Sequence, residues 1–212
     1  FFNRKNYFKL KEKTKNLIKQ DLSFISKGRH IRLFPYARTG LYCFLKSLNL
    51  PRNSEVIITG VHIKGFLKVI KSLNLKPVIV DIECESFSLD PNELKKALNN
   101  NTKVIILTYL FGYVPNVKSI FEQIPKEIKI IEDISQNIGS TYNQKYLGTF
   151  GDAALISTSL GKYIDGNGGA IMLLSKKFSI KSLDSVKKNL LSFPSPITNI
   201  KRQLKSVLFN IL

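Results

Sequence analysis

The sequence predicts an α/β fold, a mainly parallel sheet sandwiched by helices, and three observations lead there. Short runs that are apolar on both faces recur at Val56-Ile57-Ile58 and over 77–81, 103–107 and 128–131. Strands of that kind are covered on both sides. Segments with helical spacing separate them, and strands alternating with helices assemble in parallel. The 212 residues, 43% hydrophobic and 23% charged, suffice for one such domain with a real core.

The elements follow in order. Residues 5–21 place basic and apolar positions at roughly helical spacing and read as a surface helix. Thr39-Gly40 opens a stretch with Leu41, Phe44, Leu45 and Leu48 on one face, a helix with a buried side. Pro51-Arg52-Asn53-Ser54 is a turn, and Val56-Ile57-Ile58 a short strand. A helix over 62–73 leads to a buried strand over 77–81. Asp90-Pro91-Asn92-Glu93 starts the next helix: Asp caps, Pro takes the first helical position, and Glu closes a capping box. Residues 103–107 form a strand, 116–123 a helix and 128–131 a strand. A hairpin-like connection over 139–148 leads to strands over 153–157 and 170–174. Residues 179–192 and 197–212, around Pro194 and Pro196, read as helices.

A net charge of +18 raises the question of nucleic acid or an anionic membrane surface. Its distribution answers against both. Residues 1–33 carry ten Lys/Arg against Glu12 and Asp21, and 173–212 carry eight against Asp184. The middle, 34–172, has fifteen against twelve, so the excess sits on the flanks. The two cysteines, Cys43 and Cys84, have no metal-ligand spacing and are too few for a disulfide framework, which points to a reducing cytoplasm and no metal site. No apolar run is long enough for a transmembrane helix, so no integral membrane contact is expected. The chain begins Phe1-Phe2 and its one methionine is Met172, so residue 1 is read as other than a native start.

Ligands of parallel sheets sit beyond the carboxyl ends of the strands. There, 128–131 ends in Glu132-Asp133, and 153–157 runs into Ser157-Thr158-Ser159-Leu160-Gly161-Lys162, then Gly166-Asn167-Gly168-Gly169. Upstream, Ala37-Arg38-Thr39-Gly40 joins an extended segment to a helix N-terminus, where free N–H groups and the helix dipole suit a phosphate. A lysine, an acid and a phosphate cradle are the parts that pyridoxal-phosphate chemistry needs: a Schiff-base amine, a partner for the ring nitrogen and an anchor. Each alone reads more often as a solvated charge, a cap or a turn, and their joint order carries the weight.

The block over 131–170, IEDISQNIGSTYNQKYLGTFGDAALISTSLGKYIDGNGGA, resembles the cofactor-site block of the DegT/StrS family, fold-type-I pyridoxal-phosphate-dependent sugar aminotransferases. The segments Ala37-Arg38-Thr39-Gly40-Leu41, Glu55-Val56-Ile57, Pro77-Val78-Ile79-Val80-Asp81, Thr102-Lys103-Val104-Ile105-Ile106 and Leu110-Phe111-Gly112 agree in order and spacing. The resemblance implies that Lys162 is the Schiff-base lysine and proton carrier, and that Asp133 pairs with the pyridinium nitrogen. It implies that Gln136 meets the phenolic oxygen of the ring, that Ser157 binds phosphate, and that Arg38 and Thr39 lie in the phosphate cradle. Three departures stand out. Thr59-Gly60-Val61-His62-Ile63 replaces the segment that supplies a ring stacking on the cofactor, so that place falls to His62 or to Ile63. Asn167 stands for a common Glu, and Ala37-Arg38 for a common Gly-Thr.

The resemblance therefore implies an aminotransferase that moves an amino group, with glutamate the expected donor, to a keto sugar on a nucleotide, for amino-sugar and surface-polysaccharide biosynthesis. It also implies a homodimer. The expected organisation is a basic N-terminal helical segment over 1–33, a cofactor-binding large domain over 34–174, and over 175–212 a helical segment that starts a small domain, truncated here. Two readings stay beside it. One is a relic of this fold that has lost catalysis and serves in binding or regulation; the other is a basic module for nucleic acid or membrane surfaces.

Overall fold

The computed structural model describes residues 20–159, 161–164 and 168–191. The helix expected over 5–21 falls almost wholly outside them, and so do Asn167 and the helix expected over 197–212.

Seven strands form one sheet: β1 (Arg29–Phe34), β2 (Glu55–Thr59), β3 (Lys76–Val80), β4 (Thr102–Thr108), β5 (Lys129–Asp133), β8 (Ala153–Ser157) and β9 (Ala170–Ser175), in the spatial order β1-β9-β8-β5-β4-β2-β3. β9 is antiparallel to both its neighbours, and the other strands share one direction. Two short strands, β6 (Thr141–Tyr142) and β7 (Lys145–Tyr146), make the expected hairpin. Its turn residues Asn143 and Gln144 both have positive φ, as a tight two-residue hairpin turn requires.

Alternation along the strands divides the core in two. Val56, Ile58, Val104, Ile106, Ile131 and Leu155 face helices Ala37–Ser47, Lys64–Ser72 and Ile180–Leu191. Ile57, Ile105, Leu107, Ile130 and Ile156 face helices Pro91–Ala97 and Val117–Glu122 on the other side. Continuing the alternation, Thr108 and Asp133 point to the first face, and Glu132 to the second.

Several expectations change in detail. Helix Ala37–Ser47 begins two residues before Thr39, and the helix expected over 62–73 is Lys64–Ser72, leaving His62 and Ile63 in the approach to it. The strand at 128–131 runs on through Glu132 and Asp133, so both acids belong to β5 itself. The strand at 77–81 was expected to be buried; β3 instead lies at the sheet edge with Ile79 exposed. Pro77, which lacks an N–H to give to a further strand, suits that edge. Asp90 caps its helix through Oδ1, accepting from Asn92 N and Glu93 N at 2.7 and 3.3 Å. No capping box closes, because Glu93 pairs with Lys96 at 2.7 Å and Asp90 N donates to Asp81 O. Residues 29–33, read as part of the basic N-terminal helical segment, belong to strand Arg29–Phe34 of the main sheet, paired with β9.

Candidate active site

β2, β4, β5 and β8 all end on one edge of the sheet, and the residues just beyond them surround two adjoining cavities. One, of about 500 Å³, is lined by Ser135, Gln136, Gly161, Lys162 and Tyr163. The other, of about 200 Å³, brings together Val61, His62 and Ile63 after β2, Thr108 to Phe111 at the end of β4, Asp133 at the end of β5, Ser135 and Gln136 just after it, and Lys162. Four of the expected residues, Lys162, Asp133, Gln136 and His62, therefore meet. Ser157, Arg38 and Thr39 line neither cavity.

Asp133 is buried, and only one of its oxygens is engaged. Oδ1 accepts from the Ser135 N–H at 3.0 Å and the Ser135 hydroxyl at 2.5 Å. No described residue hydrogen-bonds Oδ2. Burial raises the carboxyl above its ordinary pKa, against the Ser135 hydrogen bonds and the charge of Lys162, which lower it. Ser135 Oγ also accepts from Ser157 N at 2.9 Å, so one hydroxyl ties the end of β5 to the end of β8.

Gln136 is held by Phe111, whose N–H donates to Oε1 at 3.1 Å. A backbone N–H gives only to an oxygen, so the amide NH₂ is the end left to donate. Phe111 itself takes a φ of 55° in this loop. His62 is fixed in the same way: a carbonyl only accepts, so Nδ1 carries the proton that bonds Thr59 O at 2.7 Å, and Nε2 is the other edge of the ring.

The lysine segment is anchored at both ends. Ser157 and Ala170 are ladder partners, and Thr158 N donates to Gly169 O at 3.1 Å while Gly168 N donates to Thr158 O at 3.0 Å. Gly169 has a φ of +109°, and a Cβ there would sit 3.1 Å from Thr158 Oγ1. Both facts call for glycine. Ser157 Oγ donates to Ser159 Oγ at 3.2 Å. Arg38 is exposed on the first turn of its helix, with its guanidinium 4.1 Å from the centre of the Tyr36 ring.

Behind the site, Glu132 is fully buried on the opposite sheet face and accepts four hydrogen bonds. They come from the Tyr109 hydroxyl (3.0 Å), Gly148 N (2.8 Å), Phe150 N (2.8 Å) and Gly151 N (2.6 Å). Burial raises its pKa against those donors. It locks the loop entering β8 to the residue following β4. At Gly151 a Cβ would come within 2.8 Å of Ile130 O, so the chain passes there only without a side chain.

Sequence reasoning missed Ser135, Tyr109 and Thr108. Ser135 carried a signal in its place two residues past Asp133, the spacing at which a side chain or N–H turns back to a carboxylate. Tyr109 and Thr108 carried none.

An aldehyde-bearing hydroxypyridine fits what is present: an unengaged carboxylate oxygen for a ring N–H, an amide donor for a ring oxygen, and a lysine amine for the carbonyl carbon. The order of strands and the site at their carboxyl ends define the class, the large-domain fold of fold-type-I pyridoxal-phosphate-dependent transferases. The chain belongs to the DegT/DnrJ/EryC1/StrS aminotransferase family, whose model matches residues 35–182. It is 28% identical over 169 residues to GDP-perosamine synthase of Escherichia coli O157:H7, covering 71% of this chain and 46% of that protein. It is 30% identical over 160 residues to a pleiotropic regulatory protein of Geobacillus stearothermophilus, covering 73% and 42%. Among solved structures, E. coli GDP-4-keto-6-deoxy-D-mannose-3-dehydratase with bound hydrated PLP shares the fold at a TM-score of 0.67 and 22% identity, covering 74% of this chain and 42% of that one. The chain thus spans less than half the length of these relatives.

Proposed function

We propose that this chain is the cofactor-binding part of a pyridoxal-phosphate-dependent aminotransferase that acts in the cytoplasm on a nucleotide-linked keto sugar, with glutamate as amino donor. The observation that carries it is the meeting of Lys162, Asp133 and Gln136 at the ends of neighbouring strands. The membership of the family supports it, as does the perosamine synthase among the relatives.

Bound pyridoxal phosphate supplies an aldehyde that captures amines and a ring that draws electrons from the captured carbon. The chain's own residues do the rest. Lys162 would be the residue that holds the aldehyde group, and its amine would serve as the base at the donor's α-carbon. On the keto-sugar side the same amine would serve as the acid at the carbon that receives the nitrogen. Asp133 Oδ2 would keep the ring nitrogen protonated, while Ser135 holds the other oxygen, and the Gln136 NH₂ would donate to the ring oxygen. Ser157, Arg38 and Thr39, with the first turn of helix Ala37–Ser47, would be the residues to hold the phosphate, and His62 would pack on the ring. The working molecule is a homodimer. The main sheet with the helices on both its faces, Ile180–Leu191 included, makes up the large domain.

Borohydride reduction of the protein loaded with pyridoxal phosphate, followed by peptide mapping, tests the reading. The label is expected on the peptide carrying Lys162 and lost in Lys162→Ala. A label on another lysine would overturn the assignment.

A further inference from the structure

Thr108 ends β4 and is the ladder partner of Asp133 on β5, so the two side chains leave the sheet on the same face. Its hydroxyl oxygen is buried and, among the described residues, has no hydrogen-bond partner. Buried polar groups are nearly always satisfied, and an exception in a cavity wall points to a partner that arrives with the ligand. Thr108 lines the cavity of about 200 Å³ together with Asp133, Gln136 and Lys162. Gln136 belongs to the same side, because its oxygen is taken by the N–H of Phe111, three residues past Thr108. Two donors, an amide NH₂ and a hydroxyl, therefore stand on the β4 side of an unengaged carboxylate oxygen.

We propose that the Thr108 hydroxyl contacts the cofactor as a second donor, beside Gln136, to the ring oxygen of bound pyridoxal phosphate. The proposal rests on the cofactor reading above. The ring nitrogen claims the free oxygen of Asp133, and the ionised ring oxygen is the acceptor left for two converging donors. Two donors on one oxygen stabilise its ionised form and lower the pH at which that oxygen takes up a proton.

The test compares wild type, Thr108→Val and Thr108→Ser in the full chain, by titration with pyridoxal phosphate and by the pH midpoint of the bound cofactor's visible absorbance. Thr108→Val should weaken binding about tenfold, the loss of one hydrogen bond to a charged acceptor. It should also move the midpoint upward. Thr108→Ser should restore both. Cofactor-free Thr108→Val should melt no lower than wild type, because the hydroxyl it removes has no partner to lose. Equal affinity and midpoint in wild type and Thr108→Val, or failure of Ser to rescue, would overturn the proposal while leaving the cofactor reading standing. A lower melting point of cofactor-free Thr108→Val would show the hydroxyl already satisfied and overturn it too. A wild type that binds no pyridoxal phosphate would overturn both.

Discussion

Burial pushes the Asp133 carboxyl above the usual carboxylate range, and the Ser135 donors and the Lys162 charge only partly pull it back. A carboxyl raised in the folded state keeps its proton where the unfolded chain has released it. The stability it contributes is present below the ordinary Asp pKa and lost as pH rises through the folded value. Asp133→Asn removes that loss, and its side-chain oxygen still accepts from Ser135. The cofactor-free variant should match or exceed wild type in denaturant unfolding at neutral pH, and its advantage should shrink toward acid. Turnover should fall on the order of 10²-fold or more, since a neutral amide does not hold the ring nitrogen protonated. Near-normal turnover, or a variant less stable than wild type at neutral pH, would contradict this account. At this scale the sequence was partly legible. Asp133 and Lys162 stood out because they follow strand ends, and Gln136 only through the family resemblance. Thr108 did not, because an unmet hydroxyl depends on which strand lies beside which, and Ser135 looked like any turn residue.

The strands repeat the lesson at the next scale. β2 and β4 were legible because central strands are apolar on both faces. β1 escaped because Arg29, His30 and Arg32 break its apolar run, as an edge strand allows; Arg32 is instead held by Asp184 through two hydrogen bonds of 2.6 Å. β3 misled in the opposite sense, since Val78 and Val80 look central while the strand lies at the other edge. The connection from β8 to β9 is the element on which the chemistry depends most. Its closing turn needs Gly169 for both its φ and its approach to Thr158. Gly169→Ala should cost about 1–3 kcal/mol of stability. It should also weaken cofactor binding, read by equilibrium titration, because the strain falls on the segment that carries Lys162. Wild-type stability and affinity in Gly169→Ala would show that the turn is not under this constraint.

The molecule as a whole presents its site on one open edge of the sheet. Around the mouth stand Val61, Ile63, Phe111 and Tyr163, all exposed, with Phe111 at 60% and Tyr163 at 71%. An apolar rim around a polar cavity favours a cover. A two-fold interface would place the same rim on both chains, so that each copy would shield the site of the other. Light scattering should therefore find a dimer, and Phe111→Asp should shift it toward monomer with loss of activity. An active monomer would contradict this. The fold class and the position of the site were legible at this scale because both follow from alternation of strands and helices. Among the described residues no helix is long and apolar enough to cross a membrane.

The pairing of Ser157 with Ala170 brackets the segment that bears Lys162 between two adjacent strands. Seen as kinetics, that bracket is a leash. An amine that lets go of its target in each cycle stays tethered within a side chain's reach of it, and tethered groups return at effective concentrations of roughly millimolar or above. In the proposed reading of Lys162, its recapture is then intramolecular and does not wait on diffusion.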